Sequence, residues 1–435
     1  MIEQGEDQER TTDKETATPG GVSSLWRHRD FLLLWVGESI SQVGTQVTQL
    51  ALPLTAVLAL DASAGAVGIL NALVYVPFIG FALYAGVWVD RCRRRPIMIA
   101  ANIGRGLLLC TIPALAQAGA LHMWWIYTAA LAIGVCTVLF DVCYQSYLPT
   151  LVERHHLTNG NSKLESSASF AQAAGPGIGG VLVQLLTAPF ALLANSFSLA
   201  VSVVTLCAIR RREERPPPRE KSRSVLKEMR EGLGFTLRSP YLRTFAFGAG
   251  TYNLFWNAQQ TVFVVYAARV LHMSPGLIGV TLGFGAVGAL IGATVAERLA
   301  RTIAVGRLVT GSLMSICAAP LLMPLASKPG TFSLVVLLVS FFIGGVGLSV
   351  WNVHVLSLRQ TITPARLLGR ANASYRFLTW GPMPLGALLG GGLIETIGFH
   401  WTLIALGIGF NTAWLWVVFS PVPRMRAAHA VPAAA

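Results

Sequence analysis

Apolar runs of roughly 18 to 25 residues recur along this chain from Phe31 to Phe419, separated by short polar segments. Because an α-helix rises about 1.5 Å per residue, each run can cross the roughly 30 Å hydrocarbon core of a bilayer. Hydrophobic residues make up 53% of the 435 residues and charged residues only 12%, a balance that leaves too little polar surface for a soluble protein. The sequence therefore predicts an all-α integral membrane protein.

The hydropathy pattern predicts twelve transmembrane helices. Their expected positions are 31–58, 64–88, 97–117, 123–147, 163–186, 189–209, 241–269, 275–296, 306–325, 331–357, 369–393 and 396–419. The intervening segment after the sixth helix is rich in Arg and Glu and contains three consecutive prolines, so it is interpreted as a linker with a short surface helix over 225–237.

The distribution of arginine gives the predicted orientation. The net charge is +13, and the arginines cluster in every second loop, with Arg269 as a clear exception. Positive charge is enriched in cytoplasmic loops of membrane proteins. Both termini and the central linker are therefore expected in the cytoplasm, and the protein in the cell inner (plasma) membrane. The basic charge then requires no nucleic-acid partner.

Two landmarks repeat with one offset. Gly292 follows Gly86 by 206 residues, each shortly before an acid–arginine pair, and the pair Gly381-Pro382 follows Gly175-Pro176 by the same 206 residues. A shared offset indicates two parallel six-helix repeats. The predicted organisation consists of a disordered cytoplasmic tail at 1–25, an N-terminal six-helix bundle at 26–209, a cytoplasmic linker at 210–240, a C-terminal six-helix bundle at 241–421 and a second cytoplasmic tail at 422–435.

The loop after the second predicted helix reads Gly-Val-Trp-Val-Asp-Arg-Cys-Arg-Arg-Arg from Gly86 to Arg95. It resembles the G-x-x-x-D-R-x-G-R-R signature of the major facilitator superfamily, with Arg93 in place of the second glycine. This resemblance implies the major facilitator fold and a cytoplasmic gate formed by Gly86, Asp90, Arg91 and Arg94. An acid near a helix N-terminus would also gain ion-pair and dipole stabilisation that is lost when the two halves separate. A plain positive-inside anchor remains the alternative.

A second motif lies in the fifth predicted helix. Gly175, Pro176, Gly179 and Gly180 are similar to the G-P-x-x-G-G element of antiporters of the superfamily. Close helix packing is the alternative explanation, because small residues let helices approach one another. Together with the segment from Asp141 to Val152, these residues resemble the enterobactin-exporter and macrolide-efflux branch. The fourth predicted helix lacks the arginine that many proton-coupled drug exporters carry there.

Three ionisable residues within predicted helices are candidates for proton coupling: Glu38, Arg105 and Asp141. A charge at mid-bilayer costs at least about 2.5 kcal/mol, so such residues are usually functional. Glu38 shares one helical face with Gln42, Thr45 and Gln49, and that face is expected to line the central cavity. Glu38 can alternatively pair with a cytoplasmic arginine, and Asp141 with the arginines of the gate loop. Arg105 can pair with either acid.

A substrate cavity is predicted from faces that combine amides with aromatic rings. The seventh helix presents Asn253, Trp256, Asn257 and Gln260 on one face, and the tenth presents Trp351 and His354. Such faces suit an amphipathic organic ligand, although polar residues also form structural interhelical hydrogen bonds.

The leading hypothesis from the sequence is a secondary active transporter that exports an amphipathic small molecule by proton antiport. A facilitator or importer of a metabolite with the same fold is the alternative, and a membrane enzyme or a sensor is disfavoured because no catalytic motif or extramembrane domain is present. The expected partners are the substrate, protons and membrane lipids, with a monomeric state. No cofactor, metal site or catalytic residue is predicted, since the six cysteines lack metal-ligand spacing and no nucleotide-binding loop occurs.

Overall fold

A computed structural model describes residues 28–89, 92–151, 157–211, 213, 225–364 and 367–425 of the chain. These residues are almost entirely helical, and none of them forms a strand. The first seven helices are α1 (Arg29–Ala59), α2 (Ala64–Val89), α3 (Arg94–Gln117), α4 (Met123–Leu151), α5 (Leu157–Leu186), α6 (Ala188–Ala208) and α7 (Val225–Arg238). The others are α8 (Pro240–Arg269), α9 (Pro275–Thr302), α10 (Val305–Ala318) with a 3-10 extension (Ala319–Leu325), α11 (Thr331–Ile362), α12 (Leu368–Trp380), α13 (Met383–Phe410) and α14 (Ala413–Val418).

The helices follow the predicted positions closely, including the linker helix α7. Length and hydropathy alone qualify seven segments of the described chain as candidate membrane spans. Helices α1 and α5 are not among the seven, and their most apolar stretches contain glutamines such as Gln46, Gln49, Gln172 and Gln184. The count of twelve spans and the two-repeat layout thus stay predictions.

The last part of the chain departs from regular helix at the Gly381-Pro382 turn and at Gly398, besides the short turn at Asn411 and Thr412 between α13 and α14. Gly381 and Pro382 form a turn between α12 and α13, whereas Gly175 and Pro176 lie inside the continuous helix α5. Gly398 has a φ of 75° within α13, a left-handed conformation that glycine adopts without steric cost. The chain changes direction there, between the predicted eleventh and twelfth spans: the segment before Gly398 packs against α2 and α8, and the segment after it packs against α10 and its 3-10 extension.

Arginines cluster at one end of the helix assembly, which we call the arginine-rich end. It contains the start of α3, the residues that follow α6, the connection from α9 to α10 and the end of α11, with Arg94, Arg210 and Arg211 among its described arginines. Two carboxylates accept hydrogen bonds from backbone N–H groups at this end. Glu213 accepts hydrogen bonds from the backbone N–H groups of Arg94 (2.9 Å) and Arg95 (3.1 Å), as an acid at a helix N-terminus should. Asp30 similarly accepts from the N–H groups of Arg210 and Arg211.

The opposite, arginine-poor end consists of the connections at 60–63, 118–122, 270–274 and 326–330. The contacts described between the N-terminal group α1–α6 and the C-terminal group α8–α14 lie toward this end. Helix α5 packs on α9, and α2 packs on α13. Asn71 donates a hydrogen bond to Thr261 (2.9 Å), and Arg269 forms an ion pair with Asp61 (2.5 Å). The two groups are therefore joined closely at the arginine-poor end.

Candidate functional site

The carboxyl group of Glu38 is buried in α1, with 7% of the residue exposed. Its Oε1 accepts a hydrogen bond of 2.6 Å from Nε2 of Gln42, one turn further along the same helix. Its Oε2 is buried and has no hydrogen-bond partner among the described residues. A buried carboxylate oxygen without a partner carries a large desolvation penalty when charged. The environment of Glu38 thus favours a group that can hold a proton.

Arg105 is buried in α3 and does not form a salt bridge with Glu38 or with Asp141 in the described part of the chain. Its guanidinium donates to Oδ1 of Asn102 and lies 4.8 Å from the centre of the Phe140 ring. Asn102 donates in turn to Ser202 on α6 (2.9 Å). The Nε of Arg105 is buried without a hydrogen-bond partner. Arg105 is thus held by the amide of Asn102 and the face of the Phe140 ring, and its Nε–H group makes no hydrogen bond to the described residues.

Glu38, Arg105 and Asp141 lie near enough to interact electrostatically with one another, and Arg376 of α12 interacts with Asp141 from the C-terminal group. The three intramembrane residues stand nine to eleven positions from the arginine-rich ends of their helices, or about 14 to 17 Å at 1.5 Å per residue. This is close to the middle of a roughly 30 Å hydrocarbon layer. We call Glu38, Arg105 and Asp141 the ionisable cluster.

The structure describes only some of the predicted gate residues. Asp90 and Arg91 lie outside the described residues, and Gly86 is part of α2. The guanidinium of Arg94 lies 3.8 Å from the Glu213 carboxylate and not beside Asp141. In the second half of the sequence, Glu297 pairs with Arg301 on the exposed surface of α9 (2.7 Å), an arrangement that contributes little to stability.

The antiporter-like motif lies at a three-helix junction. Gly175 and Gly179 pack against α1, where a Cβ on Gly179 would lie 3.2 Å from the Cα of Val47. Gly180 faces α9 instead: a Cβ there would lie 2.5 Å from the carbonyl oxygen of Pro275 and 3.0 Å from the Cα of Gly279. The motif therefore sets the approach of α5 to both α1 and α9.

The polar face of α8 contacts the helix break at Gly381 and Pro382. Asn253 donates to the carbonyl of Thr379 (2.9 Å), and Asn257 donates to that of Met383 (2.7 Å). Thr379 lies in the last turn of α12, where carbonyl groups lack donors from their own helix, and Met383 begins α13. The two amides therefore attach α8 to both sides of the break, which is the structural role given as the alternative for these residues.

We expect Asn257→Ala to lower the unfolding temperature in detergent, because it removes an interhelical hydrogen bond that contributes about 0.6 to 1.7 kcal/mol. Asn352→Ala, at an exposed amide of α11, is the matched control and should leave the unfolding temperature unchanged. An unchanged unfolding temperature together with a higher KM for one substrate would make Asn257 a ligand contact instead.

The other predicted cavity residues differ in their contacts and in their exposure. Trp256 stacks on Tyr252, with ring centres 6.1 Å apart, and Oε1 of Gln260 is buried without a partner. Trp351 packs edge-on against Phe245 within an apolar cluster of the C-terminal group. The remaining residues behave as follows: the Thr45 hydroxyl donates to the carbonyl of Ser41, Gln49 is exposed, and His354 is buried with Nδ1 2.8 Å from the carbonyl of Val350. Of this set, only Gln260 has a buried polar atom without a partner.

Glu395 is a polar contact between the two groups that the sequence analysis missed. Its Oε1 accepts from Oγ of Ser63 (2.7 Å) and from the N–H of Gly65 (2.9 Å), at the N-terminus of α2. A carboxylate from α13 therefore caps a helix of the N-terminal group. In the sequence, Glu395 is visible only as a single acid near the end of an apolar run. Its contact with α2 could not be predicted because its partners are more than 300 residues away in the chain.

Glu395→Ala should loosen the arginine-poor end, since it removes both hydrogen bonds to α2. We expect a severalfold rise in the labelling rate of a cysteine placed at Ala66, a half-buried residue of the first turn of α2 whose side chain takes no part in these bonds, because each charge-assisted hydrogen bond contributes about 1.5 to 3 kcal/mol before solvent screening. Glu395→Gln keeps an acceptor oxygen and should give an intermediate rate. Equal labelling in all three proteins would show that the contact does not hold the two groups together.

Comparison with known families assigns the chain to a class. The model of the transmembrane secretion effector family matches residues 21–435, and the chain belongs to this family of major facilitator superfamily transporters. It is 25% identical to the multidrug efflux pump Tap of Mycolicibacterium fortuitum, over 81% of this chain and 85% of that protein. It is 26% identical to the enterobactin exporter EntS of Citrobacter koseri, over 86% of this chain and 87% of that protein.

A solved structure supports the fold assignment. The crystal structure of a bacterial homologue of the iron transporter ferroportin, in an inward-facing state, matches with a TM-score of 0.67. The match covers 91% of this chain and 99% of that one at 18% identity. The likeness shows a shared fold. Family membership and the apolar helices together identify the protein as a multi-pass membrane transporter.

Proposed function

We propose that this protein exports an amphipathic organic small molecule by proton antiport with alternating access. The observation that carries the proposal is the ionisable cluster, buried near mid-membrane on three different helices. Ionisable groups are costly in a bilayer and mark ion or substrate pathways in transporters. Glu38, with an oxygen that has no partner, is the group to which we assign proton binding.

The proposed architecture has twelve spans in two six-helix repeats, with the boundaries predicted from the sequence. The arginine-rich end faces the cytoplasm, together with both termini, in the inner membrane. On this orientation the two groups are joined on the outer side, as expected for a cytoplasm-open state. Asp90, Arg91 and Arg94 would join the groups on the cytoplasmic side in the alternate state. We propose that the protein works as a monomer.

The proposed cycle couples substrate and proton through the population of the two states. Substrate enters the cytoplasm-open state while Glu38 is deprotonated, and the halves rock to release it outside. Protonation of Glu38 from outside then favours the return, since a neutral carboxyl is easier to bury. Asp141 and Arg105 set the local charge that Glu38 senses, and Arg376 brings a charge of the opposite group to the same place.

The substrate class rests on two lines of support. Tap and EntS are described as a multidrug efflux pump and an enterobactin exporter, so efflux of organic molecules is represented among the relatives. The described cavity candidates combine the indole of Trp256 with the unpartnered amide oxygen of Gln260, which suits a ligand with an apolar body and a few polar groups.

Efflux of dyes, macrolides and siderophores from cells expressing the protein tests the proposal. We expect one or more compounds to be extruded faster than from cells with an empty vector, and a protonophore to abolish the difference. Net accumulation of a compound would overturn export and support a facilitator or importer. Efflux that persists with a protonophore would overturn proton coupling.

A further inference from the structure

Arg376 of α12 is an exposed arginine at membrane depth. Its guanidinium lies over the indole ring of Trp380, 4.6 Å from the ring centre. Within the described part of the chain it has neither a side-chain hydrogen bond nor a salt bridge. A cation–π contact with one face of a guanidinium leaves the N–H groups at its edge free. Arg376 can therefore still bind a carboxylate.

The ring of Trp380 marks a contact between the two groups near mid-membrane. Its centre lies 5.8 Å from that of the Phe78 ring on α2. Phe78 stands eleven residues before the end of α2, or about 16 Å from the arginine-rich end. Arg376 is one helical turn nearer to that end than Trp380. It therefore lies beyond the aromatic contact, away from the arginine-poor end at which the two groups are joined.

Asp141 of α4 lies at the same depth in the N-terminal group. A Cβ on Gly134 would lie 2.7 Å from the carbonyl oxygen of Val74, which sets the register of α4 against α2. Asp141 is two turns beyond that contact, about 10 Å from the level of Val74, and Arg376 is about 12 Å from the same level through its ring contact with Phe78. Asp141 is half-buried and has no hydrogen bond or salt bridge among the described residues. The two charges already attract one another between the groups.

Closure of the arginine-rich end would bring α4 and α12 together and expel the water between them. Opposite charges attract more strongly where water is excluded, whereas a charge buried without a partner is strongly destabilising. We propose that Arg376 and Asp141 form a salt bridge between the two groups when the arginine-rich end closes. This bridge is a second gate, deeper in the membrane than the gate predicted at Asp90 and Arg91, and it depends on the alternating access of the proposed function.

Cross-linking of two cysteines at the arginine-rich end tests the bridge. The exposed positions Asn161 of α5 and Gln360 of α11 belong to different groups, so the rate at which a short bifunctional maleimide joins them reports closure of this end. After replacement of the six native cysteines, we expect Arg376→Gln and Asp141→Asn each to lower the rate about tenfold, because each leaves one buried charge unpaired. The double variant should cross-link at about the rate of the parent protein, since replacing both partners is nearly neutral.

Arg301→Gln is the matched control, because it removes an exposed arginine of α9 whose salt bridge is with Glu297 of the same helix, and it should leave the rate unchanged. An unchanged rate in Arg376→Gln, or a double variant no faster than the single variants, would overturn the bridge and leave alternating access in place. The absence of cross-linking in the parent and in every variant would overturn both. Arg376 is exposed, so Arg376→Gln decides the question even if Asp141→Asn does not fold.

Discussion

Glu38→Gln is expected to abolish proton-driven efflux, with a loss of at least about tenfold in initial rate, while the protein folds and inserts normally. Glutamine has the same shape, and its side-chain oxygen can still accept the 2.6 Å hydrogen bond that Gln42 donates to Glu38. It cannot bind or release a proton. General acid–base groups that are removed from their sites commonly cost about 10²-fold or more, so the tenfold limit is conservative. The measurement is energised dye efflux from cells with matched expression.

Glu297→Gln provides the control for this prediction. It makes the same chemical change at an exposed carboxyl group of α9, where the surface ion pair with Arg301 contributes little, and its efflux should equal that of the wild type. Asp141→Asn separates the members of the ionisable cluster: we expect a smaller loss than for Glu38→Gln if Asp141 only sets the local charge. Full activity of Glu38→Gln would move proton binding to Asp141 or to another group.

Gly180→Ala is expected to shift the protein away from the described state and to reduce transport about tenfold. The added Cβ would lie 2.5 Å from the carbonyl oxygen of Pro275, far inside van der Waals contact, so α5 and α9 must separate. Overpacking of this kind costs about 1 to 3 kcal/mol, which corresponds to about 5- to 150-fold in a conformational equilibrium. This contact joins the two groups at the arginine-poor end. The added methyl group therefore destabilises the state that is closed at that end.

The matched control is Gly177→Ala in the same motif, where a Cβ would meet no atom within 4 Å. The measurement is the distance between spin labels on the exposed residues His122 and Lys328 at the arginine-poor end, after replacement of the six native cysteines. Gly180→Ala should add a longer-distance population, and Gly177→Ala should not. If both variants behave like the wild type, the glycine contact does not control the conformation.

The sequence predicted the local features of the structure well. The positions of the helices follow from apolar length, and the pairing of Glu38 with Gln42 follows from their spacing of four residues. Arg105 and Asn102 are likewise one turn apart, so their spacing could have predicted their hydrogen bond. The prediction was instead that Arg105 pairs with Glu38 or Asp141. The guanidinium of Arg105 instead makes a cation–π contact with the ring of Phe140 on α4.

The contacts between distant segments could not be predicted. Asn253 and Asn257 were placed correctly on one face of α8, but their partners are carbonyls 126 residues away at the break beside Pro382. The cap that Glu395 gives to α2 depends on the packing of α13, which no local pattern encodes. The glycines at 175, 179 and 180 were predicted to form an antiporter-like motif, with close packing as the alternative, and the division of their contacts between α1 and α9 appears only in three dimensions.

Proton movement driven by substrate is the most direct test of the central claim that export is coupled to protons. Purified protein is reconstituted into liposomes containing a pH-sensitive dye, and a dye, macrolide or siderophore found to be exported from cells is then added outside. An antiporter should move protons out as substrate moves in, so the lumen should become more alkaline with the wild type and with Glu297→Gln, and not with Glu38→Gln. Substrate uptake into the liposomes without any change in luminal pH would contradict the account and identify a facilitator.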